Sequence, residues 1–304
     1  EPAVSARPRI INLYNYTKMN RLLILIVLCG LTAGAICAQN KAEIIVSYDD
    51  TAPTVSGGQS TNRMTLLASP SESKYFNDIS LWNDSLSSTP EGKRRLNEII
   101  MAACMTKGAD GSMTFDLRKG PVKKIHTYVF TRPADNNMTV YGKWGDGEGY
   151  YTEPTDEQQW EIVSDSTETI LDYECMMAES DYHGRHWQAW FAPEIAVPFG
   201  PWKLHGLPGL ILKAEADGGF AFTATGIEKT DRVISPIYSP DKYSRVDRLK
   251  ALADEEYAKN NAEAILKARY GDSVKLTYDS DEEPVYDGFK HCIEPDYKIK
   301  NDKK

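Results

Sequence analysis

No stretch of this 304-residue chain is long and apolar enough to span a bilayer; the longest hydrophobic run, Leu22 to Leu31, is about half the necessary length. Cysteine is scarce, with five residues, two of which (Cys29 and Cys37) fall in or just after that run. The other three, Cys104, Cys175 and Cys292, allow either one disulfide with a free thiol or three buried thiols packed as small hydrophobes. Histidine is as scarce, also five. There is no HExxH helix, GxSxG elbow or P-loop, so the common metalloprotease, serine hydrolase and nucleotide-binding signatures are excluded. The glycines of residues 142–149 (GKWGDGEG) lack dinucleotide spacing and read as a loop. Internal repeats and low-complexity segments are absent too.

The short apolar run has a different use. Met19-Asn20-Arg21 precedes it and small residues Ala33 to Ala38 follow, which predicts a signal peptide over residues 19–38, cleaved after Ala38 or Gln39. Residues 1–18 precede the first methionine and are set aside as an upstream or non-native leader. Ile36 and Leu28 stand where a lipobox needs a small residue, so plain cleavage is expected over lipidation of Cys37 or Cys29. Taking the four basic residues and one acidic residue of positions 1–38 from totals of 35 and 44 leaves 31 and 43, a net charge of −12. That balance argues against nucleic acid and anionic lipid as partners. The expected location is the periplasm or outer membrane, with no transmembrane anchor after cleavage.

Residues 40–304 are expected to form one β-rich domain. Glu43–Tyr48 and Arg63–Ala68 alternate like strands around a Gly57-Gly58 loop, with a short strand possible over Ser73–Asn77. Thr89-Pro90-Glu91 opens a helix near Pro90 to Met105, with Leu96, Ile99, Ile100 and Ala103 on one face. Short strands follow over Ser112–Leu117, Lys124–Thr131, Met138–Lys143, Gln159–Val163 and Thr169–Met177. Leu210 to Ile227 reads as a hairpin that reverses at Asp217-Gly218-Gly219. A long helix is expected at about residues 244–270, then an acidic stretch from Asp279 and a short tail. The fold class is α+β: mainly antiparallel sheet, a curved sheet or half-barrel like that of periplasmic lipoprotein carriers, with about two packed helices.

The chain is organised around His183 to Ala216, which holds three of six tryptophans (Trp187, Trp190, Trp202) and three of five histidines (His183, His186, His205). Such aromatics supply core volume, or with Arg185 and His205 line a groove for a ligand. Trp187 and Trp190, three apart, cannot share a strand face without a bulge. Leu207-Pro208-Gly209-Leu210 predicts a type II turn with positive φ at Gly209, running into a buried strand. The six residues Gly206, Leu207, Pro208, Gly209, Leu210 and Ile211, with Gly200-Pro201, Ala189-Trp190-Phe191, Pro193-Glu194-Ile195 and Tyr173-Glu174-Cys175, resemble the signature of the GLPGLI family of exported bacterial envelope proteins. The match covers Ile170 to Ile227. The resemblance implies an envelope address and no particular activity.

His183, His186, His205 and Glu194 are the candidate metal ligands, yet His183 and His186 at a spacing of three point to opposite faces of a strand. Acids such as Asp146, Glu148 and Glu153 are too common to single out a catalytic pair. Two functions remain open: a non-catalytic binding or accessory module of an outer-membrane system, and a metal-assisted hydrolase. The first needs no cofactor; its partner is an envelope protein or a small ligand (peptide, glycan or lipid) bound near Trp187, Trp190, Trp202, His205 and Arg185.

Overall fold

A computed structural model describes residues 40–116, 119–145, 147–271 and 285–301. The expected leader and signal segments, Asp146 and the acidic stretch from Asp279 to Pro284 lie outside them. The chain divides into two units, 1–40 and 41–304.

Its frame is a twelve-stranded sheet. In chain order the strands are β1 Ile44–Pro53, β2 Gln59–Ala68, β3 Ser73–Phe76, β6 Tyr128–Arg132, β7 Asn137–Trp144, β8 Gly147–Glu153, β9 Glu161–Ile170, β10 Tyr173–Tyr182, β11 Arg185–Ala192, β12 Leu210–Ala216, β13 Phe220–Lys229 and β14 Ser244–Arg245. The spatial order is β14-β8-β7-β6-β3-β2-β1-β13-β12-β11-β10-β9, antiparallel throughout except for the short β14–β8 pair. A separate hairpin joins β4 Met105–Lys107 to β5 Met113–Phe115. Six helices are present among the described residues: α1 Asp78–Ser87, α2 Pro90–Cys104, α3 Arg248–Asn260, α4 Ala262–Tyr270, α5 Gly288–His291 and α6 Asp296–Asn301. With 41% strand and 25% helix among the described residues, the sheet is larger and the helices more numerous than the expected half-barrel with two helices.

Alternation puts core on both faces. Val46, Leu66 and Ala68 belong to the main cluster with Trp187, Phe222 and Leu212, whereas Leu67, Phe76 and Tyr128 pack on the other side with Ile234 and Tyr243. Helix α2 forms as its cap signals require: the Thr89 side chain accepts from Gly92 N–H, and Pro90 stands in the first turn. Several expected boundaries move. The 244–270 helix is two, broken at Asn261 and preceded by the strand pair at Ser244–Arg245. The run Thr169–Met177 contains a reversal, with Leu171 at φ 49° and Asp172 at φ 67°. Residues 142–149 are mostly hairpin: a Cβ on Gly142 would meet the Trp144 ring at 2.8 Å, and one on Gly149 would meet Val246 at 2.9 Å. Those glycines make room within strands. The three described cysteines are free and buried, and burial raises the Cys175 thiol to about 11 and Cys292 to about 12.

Candidate functional site

The GLPGLI segment is a packed bend. Gly206 takes φ 91°, while Gly209 is absent from the positive-φ glycines, so the expected type II turn does not form. Gly209 N–H instead donates to Leu207 O at 2.8 Å, a three-residue turn centred on Pro208. Glycine is needed at 209 for closeness: a Cβ would lie 2.3 Å from Ala192 O and 2.7 Å from its carbonyl carbon. Leu207, Leu210 and Ile211 are buried, and the Tyr48 hydroxyl donates to Ile211 O at 2.6 Å.

The five sequence-nominated binding residues all lie inside. Trp187 stacks on Trp202 at 5.5 Å and on Phe222 at 5.8 Å. Trp190 is 9% exposed under the Lys213 ammonium, and the strand bulges between Trp190 and Phe191. His205 has one ring nitrogen 2.7 Å from Lys203 O and the other 2.9 Å from Thr155 O, which leaves neither for a metal. Arg185 lies over Phe220 and donates to the carbonyls of Asp217 (3.0 Å), Phe289 (2.7 Å) and Cys292 (2.7 Å). It fastens the 285–301 segment to the sheet.

Of the four sequence-nominated metal ligands, only His183 enters a cluster of ionisable groups. His186 is exposed and pairs with Asp181 at 2.8 Å, and Glu194 is exposed on the loop after β11. His183 and Gly184 form the two-residue turn between β10 and β11, with φ of 52° and 82°, the positive pair that suits a tight hairpin. Gly184 also lets α6 approach, since a Cβ there would sit 3.0 Å from Asp296 N.

Around His183 gather Glu153 from the end of β8, Lys203 from the Pro201–Leu204 turn, Arg248 from the first turn of α3, and Glu294 and Asp296 from the C-terminal segment. Lys203 Nζ donates to Glu153 Oε2 at 2.6 Å and Glu294 Oε2 at 2.8 Å, and lies 4.8 Å from the Tyr151 ring centroid. Arg248 reaches Glu153 at 3.0 Å, Glu294 at 2.7 Å and both oxygens of Asp296. His183 Nε2 is 3.1 Å from Glu153 Oε1 but misaligned for a hydrogen bond, and Nδ1 is 3.6 Å from Asp296. Trp202, just before Lys203, has a backbone φ of 54°, unusual for a bulky residue.

Three acids face a lysine, an arginine and one imidazole, so the cluster carries no net charge when all six are ionised. Burial alone would lower the His183 pKa; the nearby carboxylates of Glu294, Asp296 and Glu153 outweigh it and raise the pKa. Burial likewise opposes the carboxylates' ionisation, but Lys203, Arg248 and His183 hold Glu153, Glu294 and Asp296 below the usual range. Glu153, His183 and Glu294 offer ligand atoms within 4.8 Å of one another, a possible metal triad. Lys203 already bridges its two carboxylates. Sequence reasoning passed over Lys203, although a lysine inside GPWKLHG, amid residues fit for a core, signals a buried charge that must have partners.

An open cleft of about 390 Å³ lies at the β8–β14 edge, walled by Trp144, Glu148, Arg245, Asp247, Lys250 and Asp254, and by none of the six cluster residues. No helix among the described residues is long and apolar enough to cross a membrane.

No family model matches the sequence, nor does any curated protein. Among solved structures, PNGF-II aligns over 72% of this chain at 13% identity and a TM-score of 0.44; the chain spans 33% of PNGF-II's length. A domain described as an outer membrane lipoprotein-sorting protein, from Vibrio parahaemolyticus, matches 66% of this chain and 90% of its own at 7% identity and TM-score 0.22. A LolA-superfamily protein from Nitrosomonas europaea matches 65% and 81%, at 10% identity and TM-score 0.20. At these TM-scores none of the three carries an argument.

Proposed function

We propose that the protein is an exported, non-catalytic binding or accessory module of the bacterial envelope. One observation carries the non-catalytic half: the Glu153–His183–Lys203–Arg248–Glu294–Asp296 cluster is closed on itself. Its carboxylates are bridged by an ammonium and a guanidinium, and none of its six residues lines the open cleft. Such a network joins the C-terminal segment to the sheet, and each of its carboxylates is already engaged by a cation. The envelope half rests on the signal pattern at residues 19–38 and the family resemblance at Gly206–Ile211. The reading includes no cofactor. An envelope protein is the partner, or a peptide, glycan or lipid bound in the cleft beside Trp144.

The metal-assisted hydrolase is favoured by the Glu153, His183 and Glu294 triad alone. A metal there would have to expel the Lys203 ammonium from between both carboxylates. The two readings separate in one preparation: the exported product, purified, sequenced at its N-terminus and submitted to elemental analysis. We expect a start near Gln39 or Asn40 and less than stoichiometric metal. Stoichiometric zinc that disappears in His183→Ala would overturn this choice and revive the hydrolase reading, and an uncleaved or lipid-modified N-terminus would remove plain export.

A further inference from the structure

The chain is acidic overall, with a net charge of −9, but residues 90–124 carry eight basic and four acidic residues. Its first part, α2 and the β4–β5 hairpin, holds four of the basic residues (Lys93, Arg94, Arg95, Lys107) and three of the acids (Glu91, Glu98, Asp110), and the remaining four basic residues and Asp116 follow over residues 116–124. Lys93, Arg94, Arg95, Lys107 and Lys124 are exposed, and none has a carboxylate partner among the described residues. Asp110, one of the four acids, binds the Ser112 N–H at 3.0 Å and its hydroxyl at 2.6 Å.

Amid these cations three methionines stand in solvent: Met101 is 45% exposed, Met105 39% and Met113 56%. Their placement follows from the local geometry. Leu96 and Cys104 face inward on α2, and the chain packs closely behind them, since a Cβ on Gly120 would lie 2.5 Å from Cys104 Sγ. Met101, seven residues after Arg94, therefore shares the outer face with it. Met105 pairs with Phe115 and Lys107 with Met113, so Met105, Lys107 and Met113 share one face of the hairpin. On α1, which packs beside α2, Ile79 (49%) and Trp82 (38%) are exposed as well.

We infer that this surface, α2 with the β4–β5 hairpin, docks the protein on an anionic lipid surface. Unbranched methionines insert into a fluid apolar layer without needing a shaped pocket. Unpaired lysines and arginines among them keep their stems in the boundary and their charges at the head groups. In an acidic chain the same charge segregation sets orientation, because the remaining surface is repelled. The whole-chain charge, which argues against anionic lipid, averages this region away. The inference depends on neither export nor the cleft.

Vesicle sedimentation of the purified protein tests it, comparing phosphatidylcholine alone with phosphatidylcholine containing about 30% phosphatidylglycerol, at roughly 0.1 M salt. We expect at least ~10-fold stronger partitioning to the anionic vesicles, reversed by raising salt to about 0.5 M. The triple variant Lys93→Glu, Arg94→Glu, Arg95→Glu should lose about 10-fold, as should Met101→Asp with Met113→Asp. A control of equal charge change at exposed sites elsewhere, Lys229→Glu, Lys242→Glu, Lys290→Glu, should stay within about twofold of the parent. Equal loss in that control overturns the proposal, and so does indifference to phosphatidylglycerol. If the parent ignores vesicles but binds polyglutamate through the same cations, the surface belongs to an acidic protein and the lipid assignment falls.

Discussion

Gly206 and Gly209 lie in one motif for different physical reasons. Gly206 needs its positive φ of 91° but has open space where a Cβ would go. Gly209 has no positive φ, yet a Cβ would be driven to 2.3 Å from the Ala192 carbonyl oxygen, a backbone atom that cannot swing aside. Gly206→Ala should therefore cost about 1 kcal/mol, the usual penalty of a left-handed conformation. Gly209→Ala should cost roughly 2 kcal/mol or more, because β12 must move away from the end of β11. Urea titration of both variants measures the difference. A larger loss at Gly206 would mean that conformational freedom, and not close approach, is what the motif protects.

At the level of elements, the parts legible in the sequence are those with local signals. The Thr89-Pro90 cap gave α2, and the alternation of Leu210–Ala216 with Phe220–Ala224 around two glycines gave the β12–β13 hairpin. Elements whose residues answer to distant neighbours were not legible. Asp78–Ser87 is rich in Ser, Asn and Asp, poor helix formers, but Asn83 is fixed by Pro121 O at 2.8 Å and Asp84 by Lys123 and Tyr128. Gly142 and Gly149 read as loop because the residues that need their space, Trp144 and Val246, are not visible in any period. The charge cluster was the least legible, since Glu153, Lys203, Arg248 and Glu294 come from four distant elements. The 285–301 segment depends on such contacts. Arg185→Met removes the fork that holds Phe289 O and Cys292 O, each a hydrogen bond from a charged donor worth about 1.5–3 kcal/mol. Amide exchange at residues 288–292 should accelerate ahead of exchange in β12. Uniform acceleration through the sheet would show that the segment is not a separable element.

For the molecule as a whole, the cluster joins β8, the β10–β11 turn, α3 and α6, so its ionisation acts on global stability. His183 is packed against Tyr182 and Trp202 and faces Glu153, Glu294 and Asp296, with Lys203 and Arg248 beside them. Its folded pKa is raised, so its contribution is whole below the unfolded value of 6.5 and is lost as pH rises through the folded value. Glu153, Glu294 and Asp296 have lowered pKa values; their contribution is whole above about 4.5 and is lost as pH falls further. Asp50 complicates a single profile, because burial raises its carboxyl from 3.8 to about 7 and adds a second decline as pH rises between those values. A difference profile isolates the imidazole: denaturation of parent and His183→Gln, side by side from mildly acidic to alkaline pH, cancels Asp50. The parent's advantage should be largest below about 6.5 and shrink as pH climbs, because deprotonated His183 leaves three buried carboxylates facing two cations. An advantage that stays flat, or grows, with pH would mean that His183 is neutral in the folded protein and that Lys203 and Arg248 face the three acids without its help.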